Sequence, residues 1–206
     1  MRFKNIKHTN EEKEMSNTEN FECEYVYHIY THANGKDLIF RVEENYRYFL
    51  DKLAKYIVPI AEIYAYCLMP NHFHLMLRFK KLGEILNEDE HKYLMKRFSN
   101  LLNAYAKAYN KKYNRKGSLF LDYLKRKRIN DERYFMKLLH YIHNNPVNHG
   151  FVEDIGKWKY SSYHSYINLA KESKIERAEM MQYFETVNDF IEYHKSNIEY
   201  DFLSIE

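Results

Sequence analysis

Along the chain, apolar and polar positions change period several times, and each change marks an element. Residues 23 to 33, "CEYVYHIYTHA", are crowded with Tyr, Val and Ile and predict a strand, closed by a turn at Asn34-Gly35-Lys36. From about Val42 to Ile57 the apolar positions Tyr46, Phe49, Leu50, Leu53 and Ile57 recur at helical spacing until Pro59. Two further strands are expected at 61 to 68 and 72 to 80, joined through Met69-Pro70-Asn71. Leu94, Phe98, Leu101, Leu102, Tyr105 and Tyr109 then form one stripe of a long helix from about Asp89 to Tyr113, broken by Gly117. "SLFLDYLKRKRI", residues 118 to 129, fits strand or helix equally. Phe135, Leu138, Leu139 and Ile142 predict another helix, capped by Asn130 or Asp131 and closed before Pro146. Strands before, between and after helices give an α+β fold, an antiparallel sheet with helices packed on it.

The stretch "PNHFHLMLRF", 70 to 79, carries the most chemistry. Alternation on a strand puts Phe73, Leu75, Leu77 and Phe79 on one face, read as core, and His72, His74, Met76 and Arg78 on the other. Two imidazoles about 7 Å apart at Cβ converge on one ion with nitrogen–metal bonds near 2.1 Å, so His72 and His74 are candidate metal ligands. With no thiolate beside them, nitrogen and oxygen ligation with open positions suits Mg²⁺ or Mn²⁺ acting on a phosphodiester. The alternative is two histidines that only pack.

Composition narrows the setting. The chain has 206 residues, enough for one domain of ordinary size, and only Cys23 and Cys67, too few for a disulfide framework or a thiolate zinc site. No apolar run reaches membrane-span length, and the charged N-terminus is unlike a signal peptide, so a cytoplasmic protein with no membrane partner is expected. The net charge of +3 is unevenly spread. Between 111 and 128, Lys111, Lys112, Arg115, Lys116, Lys125, Arg126, Lys127 and Arg128 stand against Asp122 alone. Interleaved with Tyr and Phe, these eight cations are candidate contacts for nucleic-acid phosphates, with aromatic faces for unpaired bases.

The segment "CLMPNHFHLMLR" resembles the signature of the REP-associated tyrosine transposases and their small insertion-sequence relatives, within the HUH single-strand endonuclease superfamily. "YHIYTHANGKDLIF" at 27 to 40, "RKGSLF" at 115 to 120, "HYIHNNPVNHGFV" at 140 to 152 and "WKYSSYHSY" at 158 to 166 follow in the order that family shows. The resemblance covers about residues 21 to 168. It implies a ferredoxin-like sheet and a homodimer that binds single-stranded or hairpin DNA. In such a site His72 and His74 hold a divalent metal, and a tyrosine attacks the phosphate to leave a 5′-phosphotyrosine. The expected organisation is a disordered tail over 1 to 20, a transposase-like domain over 21 to 170 and a helical C-terminal extension over 171 to 206.

The resemblance departs from its pattern at the nucleophile. In active relatives the tyrosine lies six residues after the leucine of "LF" or "LW", which here is Lys125; Tyr123, two positions earlier, is the candidate. If that stretch is extended, positions 123 and 125 face the same side; if helical, they diverge by about 200°. In some relatives a third ligand follows one turn after the tyrosine, but Lys127 and Ile129 are unsuited. His140, His143 and Glu62 fit by type. Two readings follow: a metal-dependent, single-strand DNA transposase-like nuclease, or a domesticated DNA-binding relative without its nucleophile. Tyr105, Tyr109 and Tyr113, spaced four apart, read as helix packing, and "HYIHNNPVNHGF" reads as structural.

Overall fold

The computed structural model describes residues 18–83, 89–121 and 124–200. Tyr123 and residues 1–17 of the tail expected over 1–20 lie outside them. Strand β1 (Val26–His32), helix α1 (Glu43–Tyr56), β2 (Ala61–Met69), β3 (His72–Phe79), α2 (Glu90–Lys112), β4 (Lys125–Ile129) and α3 (Glu132–Asn148) follow in that order. The sheet is antiparallel throughout, in the order β2-β3-β1-β4. A β-α-β-β-α-β chain with that strand order is the ferredoxin-like arrangement expected from the resemblance.

The two β-α-β crossovers bring α1 and α2 together on one face. There Phe49 meets Phe73 at 4.9 Å and Tyr105 at 5.3 Å between ring centroids, so the Phe/Leu row of β3 is core as its alternation predicts. The Tyr105, Tyr109 and Tyr113 row packs, and also ties down the loop before α1. Tyr105 donates to the Ile39 carbonyl at 2.6 Å, Tyr109 to that of Leu38, and Tyr113 to Asn45 Oδ1 at 2.9 Å. Asn45 Oδ1 also takes the backbone N–H of Arg41 and Val42 at the helix start, where Val42 has no polar side chain of its own.

Within the ambiguous segment, Lys125–Ile129 is a strand that pairs with β1, with Ile129 opposite Val26 and Lys125 opposite Tyr30. Pairing with an existing strand decides what local pattern leaves open.

Two expectations need correction. The histidine face of β3 is not open: His72 is 1 % exposed and His74 and Met76 are 0 % exposed, because α3 packs over that side. Helix α3 also does not stop before Pro146 but runs to Asn148. Proline in the last turn forfeits a single intrahelical bond. Its own carbonyl then accepts Phe151 N at 2.9 Å, and Gly150, at φ +69°, turns the chain.

After α3 come the short helix α4 (Tyr163–Ile167), α5 (Arg177–Met180) and α6 (Val187–Lys195). This C-terminal segment is packed against the rest of the fold. Phe190 and Met180 are fully buried, and Glu179 reaches back to the sheet, accepting from Tyr64 at 2.7 Å and pairing with Arg78 at 2.7 Å. With α6 against its outer side, α3 is buried nearly all round, including His140 and His143.

Candidate metal and nucleic-acid site

Neighbouring strands bring an aromatic, histidine-rich surface to the face under α3. His28, Tyr30 and His32 of β1 project beside His72 and His74 of β3. Tyr30 stacks on His74 at 5.4 Å and His32 on His72 at 4.8 Å. The imidazoles of His72 and His74 are 5.2 Å apart, at 84° to one another. Two rings bound through nitrogen to one ion at about 2.1 Å have centroids no more than about 6.5 Å apart, so the pair is within reach of a shared cation.

Helix α3 supplies the opposite wall. Tyr141 sets its ring edge-on to His74 at 5.4 Å, and one turn later Asn145 places Oδ1 2.8 Å from His72 Nε2. His72 Nδ1 lies 2.9 Å from Asn71 Oδ1. A neutral imidazole has one N–H. With that proton given to Asn71, Nε2 and Asn145 Oδ1 face each other as two acceptors, an arrangement that a cation satisfies. Adjacent ligand atoms around six-coordinate Mg²⁺ sit about 3 Å apart when bonds are about 2.1 Å, close to the separation seen. Asn145 is fully buried, and its Nδ2 has no hydrogen-bond partner among the described residues. The donors present, two imidazole nitrogens and one amide oxygen, suit a divalent ion that accepts mixed nitrogen and oxygen ligation, such as Mn²⁺. Among the described residues no third His, Cys, Asp or Glu completes a ligand set.

The candidates for a third ligand named by residue type do not join the pair, which is a correction. His140 turns to the Tyr200 hydroxyl at 2.7 Å, and His143 to His194 at 2.9 Å and Ser162 Oγ at 2.8 Å. Glu62 pairs with Arg78 at 2.6 Å. Asn145 and Tyr141 were missed because "HYIHNNPVNHGF" reads as a helix end. The available signal was a tyrosine followed four residues later by a polar side chain on a helix.

Alternation along β4 splits the basic cluster. Lys125 and Lys127 lie on the histidine face, with Lys125 Nζ 5.3 Å from the centre of the Tyr30 ring and Lys127 Nζ 4.9 Å from that of Tyr134. Position 125 is thus one ring away from His74. Arg126 and Arg128 point the other way: Arg126 is buried, donating to the carbonyls of Glu19 at 2.5 Å and Leu124 at 3.0 Å, and Arg128 lies over Tyr25 and pairs with Glu22 at 3.2 Å. Arg115 is tied to Asp37 and to the carbonyl of Ser118. Lys111, Lys112 and Lys116 are exposed at and after the end of α2. No described helix is long and apolar enough to cross a membrane.

No family model matches the chain. Over 113 residues, half of the chain, it is 33 % identical to a protein of Haemophilus influenzae named "Putative REP-associated tyrosine transposase", of whose length the match spans 59 %. Among solved structures, a REP-associated tyrosine transposase bound to a REP hairpin shares the fold with a TM-score of 0.60, over 76 % of this chain and 87 % of that one, at 14 % identity. The four-stranded antiparallel sheet and its helices are therefore those of the REP-associated tyrosine transposase fold, and half of the sequence is similar to a curated member of that group.

Proposed function

We propose that the protein binds single-stranded or hairpin DNA and cleaves and transfers a DNA strand with a divalent metal, Mg²⁺ or Mn²⁺, in the manner of a transposase. The observation that carries this reading is the convergence of His72, His74 and Asn145, with a tyrosine beside them on α3. When bound, the ion supplies Lewis-acid polarisation of a phosphodiester. The chain's own residues hold and orient: Asn71 fixes the His72 ring, Asn145 closes the donor set, and Lys125 and Lys127 give positive charge along the same face for flanking phosphates.

Two tyrosines compete for the nucleophile. Tyr123 is favoured by its place after "LF", and Tyr141 by its ring against His74 and by Asn145 one turn on. Attack by either hydroxyl forms a phosphotyrosyl ester and releases a 3′-hydroxyl, and reversal of the same exchange reseals the strand without a nucleotide cofactor. The buried state of both metal-facing histidines means that DNA reaches them only when the cover over that face is displaced. A homodimer and a cytoplasmic setting complete the proposal.

The test is incubation of the full chain with a hairpin-bearing single strand and Mn²⁺, followed by denaturing electrophoresis. A covalent adduct lost in His72→Ala, and in one of Tyr123→Phe or Tyr141→Phe, is the expected result. Binding without an adduct identifies the domesticated DNA-binding reading, and no binding at low salt overturns both.

A further inference from the structure

Strand β1 adds a third imidazole to the pair. In the β1–β3 register His28 stands opposite Met76 and Tyr30 opposite His74, which makes His28 the diagonal neighbour of His74 on the same face. Its ring stacks on Tyr30 at 4.7 Å and lies edge to edge with that of His74 at 5.2 Å, with planes 21° apart in both pairs. His28 Nε2 lies 2.9 Å from His74 Nδ1, and both residues are buried.

A hydrogen bond between two imidazoles requires one nitrogen to carry the proton and the other a lone pair. If His74 donates from Nδ1, its Nε2 is a lone pair suited to an ion. If His28 donates instead, neutral His74 carries its proton on Nε2 and is no ligand. We propose that His28 is a positioning residue for the metal site: it accepts from His74 Nδ1–H, keeps its own proton on Nδ1, and so presents His74 Nε2 as the ligating nitrogen. Tyr30, stacked against both rings, holds them parallel. Ligating histidines generally need such a partner on the other nitrogen, and here a neutral imidazole takes the place of a carboxylate or carbonyl. The proposal rests on the metal reading of the histidine pair.

The experiment is calorimetric titration of Mn²⁺ alone into the full chain, with imidazole ¹⁵N shifts read on the metal-free protein. The variants are His74→Ala, His28→Phe and His28→Gln, with thermal melts to verify folding. Wild type is expected to bind and His74→Ala to lose binding. His28→Phe should bind about tenfold to a hundredfold more weakly. His28→Gln, whose amide oxygen reaches the place of the histidine Nε2, should recover most of that loss. The His74 proton should sit on Nδ1 in wild type and His28→Gln and move to Nε2 in His28→Phe. Wild-type affinity in folded His28→Phe overturns the positioning role alone, whereas absence of Mn²⁺ binding in wild type overturns the metal reading and the proposal with it. Should His28→Phe not fold, the wild-type spectrum still decides, since a proton on His74 Nε2 contradicts the proposal.

Discussion

Asn145 sits directly before Pro146, where helical backbone is disfavoured, and is helical nonetheless. Its position brings Oδ1 to His72 Nε2. If that oxygen is a ligand, Asn145→Ala weakens Mn²⁺ binding by about tenfold, on the order of 1.4 kcal/mol. Asn145→Asp strengthens it by adding a negative charge beside a doubly charged ion. Equal affinity in all three proteins, measured by calorimetry, would remove Asn145 from the site. At the same scale the eight cations divide by duty. Lys125 and Lys127 share the histidine face, whereas Arg115, Arg126 and Arg128 are held by carbonyls, carboxylates and a ring. Replacing Lys125 and Lys127 with Ala is expected to lower the slope of log affinity against log salt for a single strand, by about 0.7 for each phosphate no longer neutralised. Replacing Arg126 should instead lower the melting temperature, since its guanidinium satisfies buried carbonyls.

Helix α3 is the element on which both sides of the molecule depend. Toward the sheet it presents Phe135 to Tyr64 at 5.4 Å and Tyr141 to His74; away from the sheet it presents His140 and His143 to α6 and the segment beyond it. The apolar stripe Phe135, Leu138, Leu139, Ile142 was legible in the sequence. The burial of the polar side was not, because histidines in a helix ordinarily mark a wetted face, and only a later segment covers them. Phe190 carries that packing: it lies 4.9 Å from Tyr166 and 4.2 Å from His194, fully buried. Phe190→Ala should cost about 3–5 kcal/mol in urea unfolding. A loss below about 1 kcal/mol would show that the C-terminal segment contributes little to the fold.

Across the whole molecule, the buried histidines couple stability to acidity. Burial pushes His194 down to about 3 and His140 to about 4, and holds His143 well below the ordinary imidazole value, with the neighbouring His194 adding to the effect. The unfolded chain takes up protons near pH 6.5 while the folded one does not. Unfolding therefore binds protons, and the stability that these groups retain above pH 6.5 is lost as pH falls toward 4. The urea midpoint should drop between pH 7 and pH 5, and His194→Gln should shrink that drop; a flat profile in wild type would contradict the burial.

By itself the sequence determined the α+β class, three of the four strands, the long helices and the pairing of His72 with His74, because periodicity and one-residue spacing are local properties. It also pointed to the transposase resemblance, through "CLMPNHFHLMLR". Tertiary structure alone decided that Lys125–Ile129 is a strand, through its pairing with β1, and that the histidine face is covered. It alone brought His28, Tyr141 and Asn145 to the pair. The physical reason is distance along the chain: His28 lies 46 residues from His74, and Asn145 lies 73 from His72. Which residues meet across such separations is set by which strands pair and which helix crosses them, and no local pattern records that choice.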